Sequence, residues 1–137
     1  MAKTDAFRDQ HKKALEVVKA IQARLDPAKL QVDAQPVASD LAKLSGALQV
    51  HLAMEDKSLY PDLMKSRDPA AKKAAEDFSR EMGGIAAAFG AYAKKWNALT
   101  IRSNAQDFVR ETRSIFDALG KRIGREEREL YPLADRA

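Results

Sequence analysis

The sequence predicts an all-α fold, an up-and-down antiparallel four-helix bundle. Four segments repeat apolar residues at intervals of three and four, which is the period of an amphipathic helix. Prolines and helix-capping residues separate these segments, and no stretch of comparable length alternates as a strand would. The chain has 137 residues, the usual size of one domain, so we assign residues 1–137 to a single domain.

The first predicted helix runs from about Asp5 to Leu25. It ends where Asp26 precedes Pro27, because the residue before a proline avoids the α-helical region. One face of this helix carries an apolar stripe that also includes a histidine. The stripe consists of Phe7, His11, Ala14, Leu15, Val18, Ile21, Gln22 and Leu25.

The second predicted helix runs from about Val37 to Met64, after a linker that contains Val32 and Pro36. Steps of three and four along it form a sustained seam on one face. The seam consists of Val37, Leu41, Leu44, Leu48, His51, Glu55 and Leu59. Pro61 is expected to kink or end this helix, since proline cannot donate the helical hydrogen bond.

The third predicted helix begins at Asp68 and Pro69, a capping residue followed by a first-turn proline. Its stripe extends to about Leu99 and consists of Ala74, Phe78, Met82, Ile85, Phe89, Tyr92, Trp96 and Leu99. Ser103 or Asn104 is expected to cap the fourth helix, which runs from about Ala105 to Leu130. Its apolar face carries Phe108, Val109, Thr112, Ile115, Phe116, Leu119 and Ile123.

Helices two and four share a sequence repeat. Residues 51–61 read HLAMEDKSLYP and residues 122–132 read RIGREERELYP, so both contain Glu-acid-base-x-Leu-Tyr-Pro. Residues four apart lie on the same helix face, which brings His51 next to Glu55 and Arg122 next to Glu126. The tyrosines of the repeat are predicted to shape the helix ends and to find hydrogen-bond partners.

The only two histidines of the chain, His11 and His51, both lie on predicted core-facing stripes. Helical bundles hold metal ions with imidazole and carboxylate groups from facing helices. The alternative for each histidine is a core residue whose hydrogen bonds a neighbouring carboxylate satisfies.

These residues resemble the hemerythrin-like (HHE cation-binding) domain family, and the resemblance covers nearly the whole chain. It rests on His11, on His51-x-x-x-Glu55 and on the two Leu-Tyr-Pro segments. The resemblance implies an up-and-down bundle and, in well-formed members, a non-haem di-iron site that binds or senses dioxygen, nitric oxide or iron. Phe78 and Met82 stand where the family usually places histidines on helix three. The candidate metal ligands that remain are His11, His51, Glu55, Glu126 or Glu127, and Glu81 as a substitute.

The matching position on helix four, where the family has another histidine, is Arg122. A guanidinium is always protonated and has no lone pair to offer a metal. Three arrangements are open. Arg122 bridges Glu55 and Glu126 or Glu127 in place of the metal, it extends into solvent with only its stem covered, or it lies beside a true metal site. The first is our prediction, since a buried carboxylate needs a cation.

The sequence therefore predicts a non-enzymatic regulatory or protein-binding module with a degenerate di-iron site, no bound cofactor and another protein as its signalling partner. The alternative is a metal-binding sensor or carrier of dioxygen or nitric oxide, with non-haem di-iron in a reduced, carboxylate-rich site. No catalytic residue is predicted, because the chain lacks cysteine and a phosphate-binding loop. Neither histidine is followed by the lysine and glycine of a histidine phosphotransfer domain.

Composition limits the remaining classes of function and location. The net charge is +4, but 24 basic residues are interleaved with 20 acidic ones, which argues against a nucleic-acid surface. No segment approaches the roughly 20 apolar residues of a membrane span. The absence of cysteine and of a secretory signal predicts a cytoplasmic location. The oligomeric state stays open.

Overall fold

The structure, a computed structural model, describes residues 4–136, and these residues contain helices but no strand. The helices are α1 (Asp5–Gln22), α2 (Pro27–Val32), α3 (Gln35–Met54), α4 (Tyr60–Met64), α5 (Pro69–Met82), α6 (Gly84–Lys95), α7 (Ala98–Ser103), α8 (Ala105–Arg125) and α9 (Tyr131–Arg136). Two π-helical segments, Glu55–Leu59 and Glu126–Leu130, join α3 to α4 and α8 to α9. None of the described helices is both long and apolar enough to cross a membrane.

The long helices pack in sequence around a common core. Helix α1 packs on α3, α3 on α6, and α6 on α8. Ile21, Leu44, Phe89 and Phe108 are among the fully covered side chains that these helices share. A smaller apolar cluster joins α4, α5 and α9. The predicted all-α helical bundle is confirmed.

The third predicted helix is broken into three shorter helices. Gly83 separates α5 from α6, and Asn97 begins α7 by accepting a hydrogen bond from the Thr100 N–H at 3.0 Å. The Thr100 hydroxyl in turn accepts from the Asn97 N–H, which completes a capping box. This new helix start changes the direction of the stripe, so Leu99 is 72% exposed and its predicted place in the core is wrong.

The predicted linker before helix two contains a helix of its own. The Asp26 side chain accepts from the Ala28 N–H at 3.0 Å and caps α2, in which Pro27 occupies the first turn. Leu30 from this short helix is buried in the main core. Pro36 lies in the first turn of α3, where its missing N–H costs no helical hydrogen bond.

The chain stays helical through both Leu-Tyr-Pro segments, although a π segment interrupts the regular α-helix at each of them. Tyr60 donates its N–H to the Glu55 carbonyl five residues earlier, and Tyr131 does the same to Glu126. A proline ring would crowd the carbonyl four residues before it, and the wider π turn gives it room. Pro61 does not end the helical conformation, which continues through a π segment into α4, but the regular α-helical turns of α3 stop at Met54, before the proline.

Candidate metal centre

Four buried side chains from three parts of the chain converge inside the bundle. His11 comes from α1 and His51 from the last turn of α3, while Glu55 and Glu126 each open a π segment. One ligand atom from each of the four lies within 4.8 Å of the others. None of these residues is more than 2% exposed. The two copies of the sequence repeat thus meet at one point of the core.

The tyrosines of the repeat hold the glutamates of the opposite copy. The Tyr60 hydroxyl donates to Glu126 Oε2 at 2.5 Å, and the Tyr131 hydroxyl donates to Glu55 Oε2 at the same distance. Burial and the nearby carboxylates raise the pKa of both hydroxyls far above the usual value, so both remain donors. Each copy of the sequence repeat therefore supplies one acceptor and one donor to the other copy.

His11 makes contacts through both ring nitrogens. Its Nδ1 lies 3.2 Å from Glu127 Oε1, and its Nε2 lies 3.1 Å from the Tyr131 hydroxyl oxygen and 3.3 Å from Glu126 Oε1. Burial lowers the pKa of His11, but hydrogen bonding and charge from Glu126, together with Glu55 and Glu127, outweigh this effect and raise it. His11 can therefore carry a proton on each nitrogen in the arrangement seen.

The surroundings of His51 shift its pKa in the opposite direction from that of His11. Its Nδ1 lies 2.5 Å from Gln10 Oε1, and its Nε2 lies 3.0 Å from Glu55 Oε1 without the geometry of a hydrogen bond. Burial, and then the charges of His11 and Arg122, lower the pKa of His51 to about 4, against a weaker opposing effect of Glu126. The ring is neutral at physiological pH.

Arg122 lies entirely inside the bundle. Its Nη2 donates to Asp56 Oδ1 at 2.9 Å and to Glu55 Oε1 at 3.4 Å, and its Nε donates to Glu126 Oε2 at 3.4 Å. The guanidinium also faces the Tyr60 ring, at 5.3 Å from its centroid. Burial disfavours the charged form, but Glu126 and the other acids outweigh it and raise the pKa. Of the three arrangements, the extension into solvent is excluded: Arg122 is buried and contacts both Glu55 and Glu126, which agrees with an internal bridge and also with a place beside a metal site.

The structure shows which of the two adjacent acids on helix four, Glu126 or Glu127, faces the core. Glu126 is fully buried, and burial together with the neighbouring Glu55 raises its pKa against the opposing effects of His11 and Arg122. The side chain of Glu127 is 41% exposed and reaches the cluster only through His11 Nδ1. Glu126 is therefore the candidate metal ligand, whereas Glu127 contacts another candidate ligand, His11.

Glu81, the candidate substitute ligand, lies apart from the cluster. Its side chain is 47% exposed and accepts from Arg125 Nη1 at 2.6 Å. It belongs to the solvent face of α5, one residue before Met82. From Met82 it is the backbone carbonyl that takes part in the site, by accepting from Arg122 Nη1 at 3.3 Å. Phe78 is a buried core residue.

Two side chains of the site were not predicted from the sequence. Asp56 occupies the second acidic position of the repeat, so the repeat itself could have indicated that Asp56 pairs with a basic residue on helix four. Gln10 had none, because its partner His51 lies 41 residues away and no local pattern connects them.

Two buried atoms of the cluster lack a hydrogen-bond partner. They are His51 Nε2 and Glu126 Oε1, and among residues 4–136 Trp96 Nε1 is the remaining buried side-chain atom in this condition. More than about nine in ten buried polar atoms in proteins are hydrogen-bonded, so two unpaired acceptors in one cluster require an explanation. Imidazole nitrogen and carboxylate oxygen are both ligands of divalent transition metal ions. The cluster is compatible with a metal site.

Comparison with known proteins agrees with this geometry. A family model described as the hemerythrin HHE cation binding domain matches residues 2–134. Comparisons with curated proteins and with solved structures give no match. The match spans nearly the whole chain, including both histidines, both glutamates and Arg122. The chain belongs to the hemerythrin HHE cation-binding domain family.

Proposed function

We propose that this protein is a non-enzymatic, metal-responsive regulatory module that holds one divalent metal ion instead of a di-iron centre. His11, His51, Glu55 and Glu126 are the ligands, and the Arg122 guanidinium takes the place of the second ion. The proposal keeps the predicted loss of the di-iron site, but it departs from the prediction of no bound cofactor and takes up the alternative, a reduced, carboxylate-rich metal site.

The residues present do not fit a pair of iron ions. Among residues 4–136, the cluster brings together two imidazoles and two carboxylates. A permanent positive charge lies 3.4 Å from an oxygen of each carboxylate, so a second divalent ion would meet strong repulsion where it needs ligands. Arg122 also fulfils one role of such an ion, because it neutralises acids that would otherwise be buried without a cation.

The observation that supports one bound ion is the contact between His51 and Glu55. Gln10 Oε1 lies 2.5 Å from His51 Nδ1; with the proton of the neutral ring on Nδ1, the lone pair is on Nε2. That nitrogen lies 3.0 Å from a carboxylate oxygen with no hydrogen bond between them. Two lone pairs at this distance repel each other, and a cation between them would turn this repulsion into attraction. A metal ion there would also give the unpaired Glu126 Oε1 a partner.

The chain's own residues prepare such a site in three ways. Tyr60 and Tyr131 each fix one carboxylate oxygen, which leaves Glu126 Oε1 unpaired and Glu55 Oε1 with only a 3.4 Å hydrogen bond from Arg122 Nη2. The surrounding core excludes bulk water from all four ligands. Arg122 balances one of the negative charges. A bound transition metal ion would supply a centre able to bind a small molecule or change oxidation state.

The test is to count metal ions per chain. Protein stripped with chelator is reloaded anaerobically with Fe(II), and in parallel with Co(II), and analysed for metal content and by calorimetry. We expect one ion per chain, lost in His11→Ala and His51→Ala but kept in the surface control Glu81→Gln. Two ions per chain would contradict the role given to Arg122. A failure to bind either ion would contradict the metal site itself.

A second candidate is the metal-free module, in which the core is held by side-chain charges alone. The contacts of His11 favour it, since both its nitrogens face acceptors, as they would in an imidazolium. With Arg122, that charge would neutralise the two buried glutamates. The same metal analysis separates the candidates, because the metal-free module predicts no ion per chain at any loading. In either case the regulatory partner is proposed to be another protein.

A further inference from the structure

We infer that Gln10 is a positioning residue, which holds His51 in the tautomer that presents its Nε2 lone pair to the metal centre. This inference rests on the proposed function, because the reason to fix the tautomer is metal binding. Gln10 lies on α1 immediately before His11, so one turn of helix contributes both a ligand and the partner of another ligand.

The geometry gives Gln10 this role. Its Oε1 lies 2.5 Å from His51 Nδ1, a short hydrogen bond in a largely covered position. A carbonyl oxygen can only accept, so the proton must be on Nδ1, and neutral imidazole then has its lone pair on Nε2. Metal-binding histidines commonly donate their second nitrogen to such a partner, which fixes the tautomer and the ring orientation.

The opposite orientation of the Gln10 amide does not agree with the rest of the site. If the amide NH₂ donated to His51 Nδ1, the ring proton would move to Nε2 and would need an acceptor. The nearest oxygen, Glu55 Oε1, is at 3.0 Å but outside hydrogen-bond geometry. That orientation would bury an unpaired N–H donor beside an acceptor it does not reach, which is costly.

Neighbouring rings hold the plane of His51. The His11 ring meets it edge-on with the centroids 4.6 Å apart, and the Phe7 ring does so at 5.4 Å. Beside them, a pocket of about 310 Å³ between α1 and α3 is lined by both Gln10 and His51. If Gln10 were truncated, water entering from this pocket could accept the Nδ1 proton. The informative variant must therefore fill the same space without a strong acceptor.

The first experiment measures the tautomer in metal-free protein. Long-range ¹⁵N–¹H NMR correlations distinguish Nδ1–H from Nε2–H, and the chain has only two histidines, so His11→Gln suffices to assign the signals. At neutral pH we expect Nδ1–H for His51 in the wild type and in Gln10→Glu, and a shift towards Nε2–H in Gln10→Met. Gln22→Met, an exposed substitution on the same helix, is the control and should match the wild type. An Nε2–H tautomer in the wild type, or no change in Gln10→Met, would overturn the inference.

The second experiment measures Co(II) affinity by competition with a chelator. Loss of a group that orients a metal ligand typically weakens binding 10- to 100-fold, and we expect a loss of about this size in Gln10→Met with unchanged stoichiometry. Gln10→Glu should bind at least as tightly as the wild type. Equal affinity in Gln10→Met and the wild type would refute the positioning role. If the wild type bound no metal, the proposed function would fail, and the NMR result would still decide the tautomer on its own.

Discussion

The hydroxyl of Tyr131 donates to Glu55 across the bundle at 2.5 Å, and its oxygen lies 3.1 Å from Nε2 of His11. A single side chain from the second copy of the repeat thus connects a glutamate of the first copy to a histidine of α1. Tyr60 makes the reciprocal bond to Glu126. Because hydrogen bonds to ionised groups are stronger than neutral ones, these two bonds are expected to matter more than ordinary core contacts.

Tyr131→Phe should lower the free energy of unfolding by roughly 1.5–3 kcal/mol, the range for a hydrogen bond to a charged group. Tyr60→Phe should have a similar effect, since it also leaves a buried glutamate oxygen without its donor. Tyr92→Phe is the matched control, because the Tyr92 hydroxyl is bonded at 2.5 Å to the neutral Thr112 hydroxyl. Urea unfolding compares the three variants. A larger loss for the control than for the other two would contradict this account.

Arg122→Ala should cost about 3–5 kcal/mol, because it leaves buried carboxylates without their cation. Arg110→Ala is the control: the Arg110 side chain is 74% exposed and pairs with Asp107 on the same helix. That substitution should change the stability by less than about 1 kcal/mol. Chemical denaturation of the metal-free proteins provides the measurement. A loss below about 1 kcal/mol in Arg122→Ala would mean that the guanidinium does not hold the core acids.

Glu126→Gln and Glu127→Gln should differ in their effect on metal binding, because Glu126 is the proposed ligand and Glu127 only contacts the ligand His11. Both substitutions remove one negative charge and retain the shape of the side chain. Glu126 is fully buried within the cluster, so its loss should abolish Co(II) binding at micromolar concentration. Glu127 touches only His11, and its loss should weaken binding about 10-fold with one ion still bound per chain. Equal effects of the two substitutions on calorimetric affinity would contradict the assignment.

Asp135 should give the fold a pH-dependent link between the two ends of the described chain. Its carboxylate accepts from the Thr4 hydroxyl at 2.8 Å and from Arg8 at 3.0 Å. Burial raises the pKa of Asp135, but these hydrogen bonds outweigh it and lower the pKa. A lowered pKa stabilises the fold above the unfolded value of about 4, and this contribution is lost as the pH falls through the folded value.

Asp135→Asn should therefore cost about 1 kcal/mol at pH 7 and less near pH 3. The measurement is the difference in unfolding free energy between wild type and variant at both pH values. Asp9→Asn, at an exposed acid on α1, serves as the control and should show little difference at either pH. A difference between wild type and Asp135→Asn that grows as the pH falls would contradict the stated sign.

Local pattern was sufficient to predict much of this protein. The stripes of the first and second predicted helices placed His11, His51 and Glu55 on core-facing sides, because helical periodicity determines which side chains share a face. The repeat placed Arg122 and Glu126 on one side of helix four for the same reason. The local pattern did not predict that Leu99 is exposed, since the capping box at Asn97 starts a new helix and changes which face turns inward.

The tertiary structure alone decided how these faces combine. Glu126 rather than Glu127 is the acid that meets Tyr60 and Arg122 in the core. Glu81 is excluded because α5 turns it to solvent beside Arg125. In two reciprocal hydrogen bonds, the tyrosine of each repeat donates to the glutamate of the other repeat. These bonds, like the bond between Gln10 and His51, join residues that are far apart in the chain. A sequence determines spacing along each helix, but distances between helices follow only from packing, and the chemistry of the cluster depends on those distances.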